Sequence, residues 1–342
     1  MALEALAAAG RNAHRNARLT AGVFVLALVF LATGCASLFP QTAILRDGLP
    51  QGLPHTVELK EVPFFPQKEY QCGPAALATA LAAAGAKVTP DELVSQVYLP
   101  GRQGSLQVEM LAAARRHGMV SYQLAPKFED LMREVAAGNP VIVLQNLGLT
   151  DGWHYAVAVG YDYDPGKLIL RSGETEREEM RFFVHEFVWR RSGYWAMVAM
   201  PPDRVPVTAD ETRWLAAVAA LERAAGMQRE HLPRARDAYL ATTRRWPQNL
   251  NAHIGLANTQ HALGDLPGAE ASLRQATRID PQSPVALNNL AQTLSDLGRN
   301  EEALPVIERA AALPADKSGT FAAAIQQTRQ GILQKLASRK KN

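Results

Sequence analysis

The sequence predicts an α+β domain followed by an all-α repeat array, and three observations carry this prediction. Helical segments come first and apolar strand segments later between residues 57 and 203, without the β-α-β alternation of a parallel sheet. From about Asp210 the pattern is helical throughout and repeats every 34 residues. The 342 residues, 47% hydrophobic and 20% charged, are enough for two globular domains.

The first 34 residues are predicted to be an export signal. Three arginines precede an apolar run over residues 19–32, which is too short for a comfortable membrane span. Small residues followed by Cys35 resemble the lipobox of bacterial lipoproteins, although Ala32 replaces the usual Leu three places before the Cys. The resemblance implies a lipidated Cys35 that anchors the protein in the cell envelope. Because Ala36 and not Asp follows, it implies the outer membrane, facing the periplasm. The alternative is an uncleaved anchor helix with an incidental Cys.

Several classes of ligand are not expected. The net charge of +3 is small and no basic tract suits nucleic acid, so no nucleic-acid partner is expected. His55, His117 and His185 lack ligand spacing and no Cys-x-x-Cys occurs, so no metal is expected. The segment 101–104 lacks the Lys-Ser or Lys-Thr of a phosphate loop, so no cofactor is expected. We interpret this segment as a turn at a substrate cleft.

The elements of the first domain follow from periodicity and boundary residues. Residues 35–56 are rich in Pro and Gly and are predicted to be a tether. An entry strand is predicted over 57–65. Pro and Thr-Pro-Asp-Glu start signals and capping glycines predict helices over 73–84, 89–97, 105–117 and 127–137. Apolar or alternating runs predict strands over 140–145, 154–161, 167–171 and 194–200.

The number of cysteines in the chain draws attention to Cys72. The chain has two cysteines, so a lipidated Cys35 leaves Cys72 without an intrachain partner. Exported proteins usually pair their thiols, so a leftover thiol indicates a use for its reactivity. The alternative is an inert, buried Cys that packs as a small hydrophobic residue.

The surroundings of Cys72 suit a thiol nucleophile. Cys72 opens a predicted helix, whose positive end is expected to lower the pKa of the thiol, and Gly73 leaves room beside the sulfur. His154 opens a later strand and is the candidate general base and acid. The Cys72 backbone N–H and the Gln67 side chain are the candidate donors of an oxyanion hole.

These residues resemble the papain-like cysteine peptidases, specifically the bacteriocin-processing family that cleaves leader peptides after double glycine. The resemblance rests on Gln67, the run CGPAAL over residues 72–77 and the run HYAVAVGYD over residues 154–162, and it covers 57–203. It implies a helical half packed against an antiparallel sheet. Relatives in transporters carry membrane and nucleotide-binding domains, whereas this sequence is expected to be a stand-alone relative fused to repeats.

The sequence departs from this family in two places. The family has an Asp or Asn on the strand after that of the histidine, where it orients the imidazole. Residues 170–173 offer no acid or amide, so Ser172 is the candidate orienter; Asp162 and Asp164 are expected to face a turn. Gln67 also lies five residues before the Cys rather than the commoner six.

The C-terminal part, residues 210–315, resembles the tetratricopeptide repeat. Two units match, 250–281 and 284–315, and a third is predicted over 216–247 with Glu222 and Arg223 at positions that usually hold Leu and a small residue. The positions that recur at 34 residues are Leu256/Leu290, Ala257/Ala291, Gly264/Gly298, Ala269/Ala303 and Ala276/Ala310. An array of only about three repeats is expected to need packing against the upstream domain or a partner for its stability. A C-terminal helix and tail, 316–342, complete the chain; the alternative is an ordinary helical bundle.

The sequence leaves three functional hypotheses. The leading one is a lipid-anchored cysteine peptidase that hydrolyses peptide bonds through Cys72 and His154, with repeats that recruit a peptide or protein substrate or a protein partner. The alternative is a weak or inactive peptidase-like domain that acts as a peptide-binding envelope scaffold. The third is acyl or peptidyl transfer, since an amine can intercept a thioester.

Overall fold

The structure, a computed structural model, describes residues 39–67, 70–148, 152–227, 229–314 and 319–339. The predicted signal peptide and Cys35 lie outside the described residues, so both stay predictions. Within the described ranges, no helix has the length and apolar character that crossing a membrane requires.

The first domain combines short helices with an antiparallel sheet. Its helices are α1 (Pro40–Asp47), α2 (Cys72–Ala83), α3 (Pro90–Val97), α4 (Gln107–Arg116), α5 (Phe128–Ala136) and α6 (Phe182–Trp189). Its strands are β1 (Thr56–Glu58), β2 (Tyr98–Leu99), β3 (Gly104–Ser105), β4 (Val120–Gln123), β5 (Val141–Asn146), β6 (Trp153–Asp162), β7 (Lys167–Ser172), β8 (Thr175–Arg181) and β9 (Ala196–Met200).

The main sheet has the order β4-β9-β5-β6-β7-β8, with antiparallel neighbours throughout. Strand β1 pairs with the end of β6 and continues the line of β5 along that edge. The predicted entry strand is therefore short: it ends at Glu58, where residues 59–67 begin an irregular segment toward α2. Strands β2 and β3 form a separate small hairpin. The α+β class predicted from the sequence is confirmed.

Each face of the sheet buries its own apolar layer. On one face, Leu77 and Leu81 of α2 pack with Val157 and Val159 of β6. On the other face, the helices α5 and α6 pack against the alternate residues of β6, such as Ala156. Because side chains alternate along a strand, one strand can serve both layers.

Helix α2 places its first residue, Cys72, at the edge of the sheet. Its alanine-rich sequence favours a helix and lets the backbone approach β6 closely. The helix ends where Gly85, at a φ of 90°, donates to Ala82 O while Ala86 donates to Leu81 O. This pair of bonds is the Schellman motif, and it confirms the predicted glycine cap.

The described part of the predicted tether, residues 39–56, is folded onto the domain, which corrects that prediction. Leu45 of α1 lies in the core with 4% of its surface exposed. The Thr42 backbone N–H donates to Glu186 Oε2 over 2.6 Å, and the Tyr163 hydroxyl donates to Leu45 O over 2.5 Å. Composition predicted a flexible linker because these partners lie more than 100 residues away in sequence.

The C-terminal part is an array of antiparallel helices, as predicted. They are α7 (Glu211–Met227), α8 (Leu232–Arg245), α9 (Leu250–Ala262), α10 (Leu266–Ile279), α11 (Pro284–Asp296), α12 (Asn300–Ala311) and α13 (Ala322–Arg339). Successive helices pack in pairs, and α13 covers α11 and α12. Helix α7 packs against β4, where Trp214 and Tyr122 meet edge to face at 5.9 Å. The predicted reliance of the array on the upstream domain is confirmed.

Candidate active site

A cleft of about 740 Å³ lies between the start of α2, the start of β6 and the β2–β3 hairpin. The predicted residues Gln67, Cys72 and His154 all line it. Residues 102–104, part of the predicted turn, line the opposite wall, so their predicted place at a cleft is confirmed. Clefts of this size with a few converging polar groups are the usual form of small-ligand and peptide sites.

Cys72 stands at the first position of α2 and is partly buried. Burial raises the pKa of the Cys72 thiol, and backbone hydrogen bonds from Tyr155, Gly73 and Cys72 itself act in the opposite direction. The sulfur therefore lies against β6 at the residue that follows His154. The direction of the shift corrects the sequence expectation of a lowered pKa, because desolvation outweighs the favourable backbone donors here.

His154 is the second residue of β6, opposite Gln145 of β5 in the sheet register. Its Nε2 lies 3.0 Å from Ser172 Oγ, within hydrogen-bond distance. Ser172 is buried on the neighbouring strand β7, with 8% of its surface exposed. The residue named from sequence as the orienter is therefore in contact with the imidazole through Nε2.

Gln67 lies in the irregular segment before α2, and β7 and β6 hold it. Its backbone N–H donates to Gly173 O over 3.1 Å, and its Nε2 donates to Tyr155 O over 3.3 Å. The side-chain amide thus reaches the same stretch of β6 that contacts Cys72. At 3.3 Å this bond is long, so an incoming acceptor can compete for the amide.

Tyr155 links the cleft floor to the hairpin wall. In the sequence, Tyr155 stands out only as part of the histidine motif. Its hydroxyl donates to Ser105 O over 3.2 Å, and its ring meets Trp195 edge to face at 5.7 Å. Burial, and secondarily the neighbouring Cys72, raise the pKa of this phenol. Tyr155 therefore stays neutral and acts as a spacer between β6 and β3.

Arg171 was missed as a positioning residue because its contacts are visible only in the fold. It is buried beside Ser172, with 6% of its surface exposed. Its guanidinium donates to Glu176 O over 2.6 Å and to Val62 O over 3.3 Å. Val62 belongs to the irregular segment that carries Gln67. Arg171 therefore fixes that segment against the strand that holds Ser172.

The two acids near the histidine strand lie at the turn between β6 and β7, as predicted, and neither lines the cleft. Asp162 accepts from Thr56 Oγ1 over 3.2 Å, and Asp164 pairs with His55 over 2.9 Å at the surface. His117 and His185, the other histidines considered as ligands, bond to Gln96 and Gln145. No group of three or more metal-ligating side chains occurs in the part of the chain that the structure describes.

The matches to known families fall in the same two regions as the predicted domains. Residues 59–196 match the Peptidase C39 like family, and residues 225–284 and 261–327 match two tetratricopeptide repeat models. The chain joins a C39-like domain to tetratricopeptide repeats. No curated protein matches it.

Solved structures are similar to one region of the chain or the other. The sequence identity is about one fifth in each case. They include a putative C39-like peptidase from Bacillus anthracis, with 19% identity, a TM-score of 0.36 and coverage of 42% of this chain and 96% of that one. A double glycine motif protease from an AMS/PCAT transporter, in complex with the leader peptide, has 19% identity, a TM-score of 0.34 and coverage of 42% and 92%. The TPR2B domain of yeast Sti1 in its pHsp70 complex has 20% identity, a TM-score of 0.33 and coverage of 35% and 97%.

Proposed function

We propose that the C39-like domain is a cysteine peptidase in which Cys72 is the nucleophile and His154 the general base and acid. The supporting observation is that Gln67, Cys72 and His154 line a single cleft, where Gln67 and Cys72 both contact Tyr155, the residue after His154. Ser172 orients the imidazole through its Nε2. A histidine 82 residues from the cysteine is thereby brought to the same cleft, and the residue types suit one reaction.

The reaction follows from these roles. His154 takes the thiol proton as the sulfur attacks the peptide carbonyl carbon, and the C=O electrons move onto oxygen. The Cys72 N–H and the Gln67 amide stabilise this oxyanion. The imidazolium gives its proton to the departing amine, which leaves a thioester on Cys72. Water, deprotonated by His154, then attacks the thioester and releases the acid and the thiol.

Because burial raises the pKa of Cys72, we place the proton transfer in the substrate complex. In the free protein, burial favours the neutral thiol. A bound peptide brings the electrophilic carbon against the sulfur, so that loss of the proton accompanies attack. We therefore expect a thiol and an imidazole at rest rather than a stable ion pair.

The other proposed properties concern location and recruitment. Cys35 carries a lipid that anchors the protein in the envelope, at the outer membrane and facing the periplasm, by resemblance to Gram-negative lipoproteins. The tetratricopeptide repeats recruit a protein or peptide, which is the general use of such arrays. Hydrolysis is the proposed reaction, and product masses distinguish it from transfer.

The test is cleavage of a peptide library by the full-length protein, read by mass spectrometry. Cys72→Ala and His154→Ala should each abolish or nearly abolish cleavage, whereas His253→Ala, a change of the same type in the repeats, should have no effect. Cleavage that persists in the Cys72→Ala protein would refute the proposal. A Cys72→Ser protein can then trap substrates, and product masses separate hydrolysis from transfer.

A non-catalytic peptide-binding scaffold is the second candidate. Two observations favour it: burial opposes ionisation of the Cys72 thiol, and Ser172 offers a weaker partner for the imidazole than a carboxylate or amide. This candidate predicts no cleavage by the wild-type protein and unchanged peptide capture by Cys72→Ala. A phenotype lost in Cys72→Ala at an unchanged protein level would exclude it.

A further inference from the structure

Helices α1 and α6 present an apolar patch that the peptidase proposal does not use. Phe183, Val184 and Phe187 project outward from α6 and are 38%, 39% and 38% exposed. Phe39, at the start of α1, meets both phenylalanine rings edge to face at 5.9 and 6.2 Å. We call these four residues the aromatic face.

The aromatic face arises because α6 is apolar on both sides. Its inward residues Phe182 and Trp189 fill the core, and its outward residues remain more than one third exposed in the described chain. A surface helix normally carries polar residues on its outer side. Apolar residues there indicate a surface that meets another apolar phase.

Cations border the aromatic face. The Arg191 guanidinium lies over the Phe187 ring, 4.4 Å from its centroid, and Arg190 beside it is exposed. Aromatic rings next to arginines are typical of segments that rest at the boundary between lipid headgroups and acyl chains. The cations suit anionic headgroups.

The position of the face in the chain identifies its occupant. Phe39 follows Cys35 by four residues, and four residues span at most roughly 14 Å when fully extended. A lipid on Cys35 would therefore hold Phe39 close to the bilayer surface in every arrangement of the intervening residues.

We propose that the aromatic face seats on the lipid bilayer and so fixes the orientation of the C39-like domain. This rests on the lipid anchor of the proposed function. The consequence for substrates follows from Arg191, which touches the aromatic face and also lines the cleft. The cleft therefore opens beside the membrane, and its substrates are peptide segments that lie at the membrane surface.

The experiment uses the full chain, purified from bacterial membranes and reconstituted into phosphatidylethanolamine–phosphatidylglycerol vesicles. In a Cys72→Ser background, an environment-sensitive fluorophore is attached at Phe183→Cys, or at Val184→Cys as a second position. Phe321→Cys, 44% exposed in the repeat region, is the matched control. We expect blue-shifted emission and quenching by brominated lipid at positions 183 and 184, and water-like emission at 321.

The outcomes separate this inference from the others. Vesicle-bound protein with water-like emission at every position refutes the seating of the face but leaves the anchor intact. Blue-shifted emission without quenching by brominated lipid places the label against protein instead of lipid and also refutes the seating. Protein that stays in the aqueous fraction refutes both the anchor and the seating. Peptide cleavage by the unsubstituted protein in detergent tests the peptidase proposal alone.

Discussion

Substitution of Gly73 tests whether the wall of the cleft is packed as tightly as the structure indicates. A Cβ added at Gly73 would clash with Ser105, lying 2.5 Å from its Cβ and closer still to its Oγ, whereas the next neighbour, Met110 Sδ, is at an ordinary 3.4 Å. Ser105 belongs to β3, which is held to β6 through the Tyr155 hydroxyl. The hairpin therefore cannot move aside without losing that bond.

The expected cost of Gly73→Ala is about 1–3 kcal/mol, the usual range for overpacking. The opposing gain in helix propensity is at most about 1 kcal/mol, and is smaller in the first turn of a helix. Ser105→Gly removes both clashing atoms. The double variant should therefore recover about 1–2 kcal/mol relative to the sum of the single changes, a coupling typical of residues in contact.

The assay is urea denaturation followed by tryptophan fluorescence, since Trp189 and Trp195 are buried in this domain. Gly331→Ala is the control, because it lies inside helix α13 with no atom near the added Cβ. That change should stabilise by about 0.5–1 kcal/mol. If Gly73→Ala costs the same free energy with and without Ser105, the two residues do not touch and the described cleft wall is wrong.

Three further predictions concern the imidazole, the thiol and a buried histidine. Ser172→Ala should lower kcat roughly tenfold at constant KM, since only the orientation of His154 is lost, and Ser172→Asn should restore it; equal kcat in all three proteins would remove Ser172 from the mechanism. Alkylation of Cys72 by iodoacetamide should accelerate about tenfold per pH unit through neutrality, because its pKa is raised; a plateau near neutral pH would indicate a preformed ion pair. Burial lowers the pKa of His185 from 6.5 to about 3, so the unfolded chain binds a proton that the folded chain does not. The free energy of unfolding should therefore fall as the pH drops from about 6.5 toward 3, and His185→Leu should flatten this dependence in a pH series of urea titrations.

The elements that could be predicted carry their own local signals. Helix α3 begins where Thr89 and Glu92 form a capping interaction, with Glu92 Oε2 accepting from the Thr89 N–H over 2.9 Å. Strands β5, β6 and β7 are apolar because both faces of the central sheet are covered. These patterns depend on residues that are close in sequence, so they can be recognised without knowledge of the fold.

Strand β8 and helix α6 were not predicted, for opposite reasons. Strand β8 is an edge strand rich in charge, and ion pairs such as Lys167–Glu179, 2.5 Å apart, replace an apolar face. Helix α6 is apolar almost throughout, so no 3.6-residue period distinguishes it from a buried strand. In both segments tertiary surroundings decide the conformation.

The candidate site divides in the same way. Cys72 and His154 could be named from sequence because each begins a recognisable motif, and Gln67 and Ser172 could be named from their positions relative to those motifs. The direction of the Cys72 pKa could not, since desolvation depends on what covers the sulfur after folding. The role of Arg171 depends on two carbonyls that the fold brings to it from either side in sequence.

The irregular first repeat is explained by its packing partner. In a regular array the first helix of a unit faces the preceding repeat, but α7 faces β4, and Trp214 and Val218 enter the core of the C39-like domain. The Trp214 Nε1 donates to Thr242 Oγ1 over 2.9 Å, which ties α8 to the same junction. Glu222, at a position that usually holds an apolar residue, accepts from the Tyr239 hydroxyl over 2.6 Å.

This junction connects the repeats to the cleft through the sheet. Strand β4 pairs with β9, and β9 pairs with β5, whose Leu144 lines the cleft. A shared apolar core does not permit the free rotation of domains joined by a linker. Under the proposed function, a protein held by the repeats would therefore be presented to the cleft in a fixed geometry, and the array would select peptide segments for Cys72 without contacting that residue.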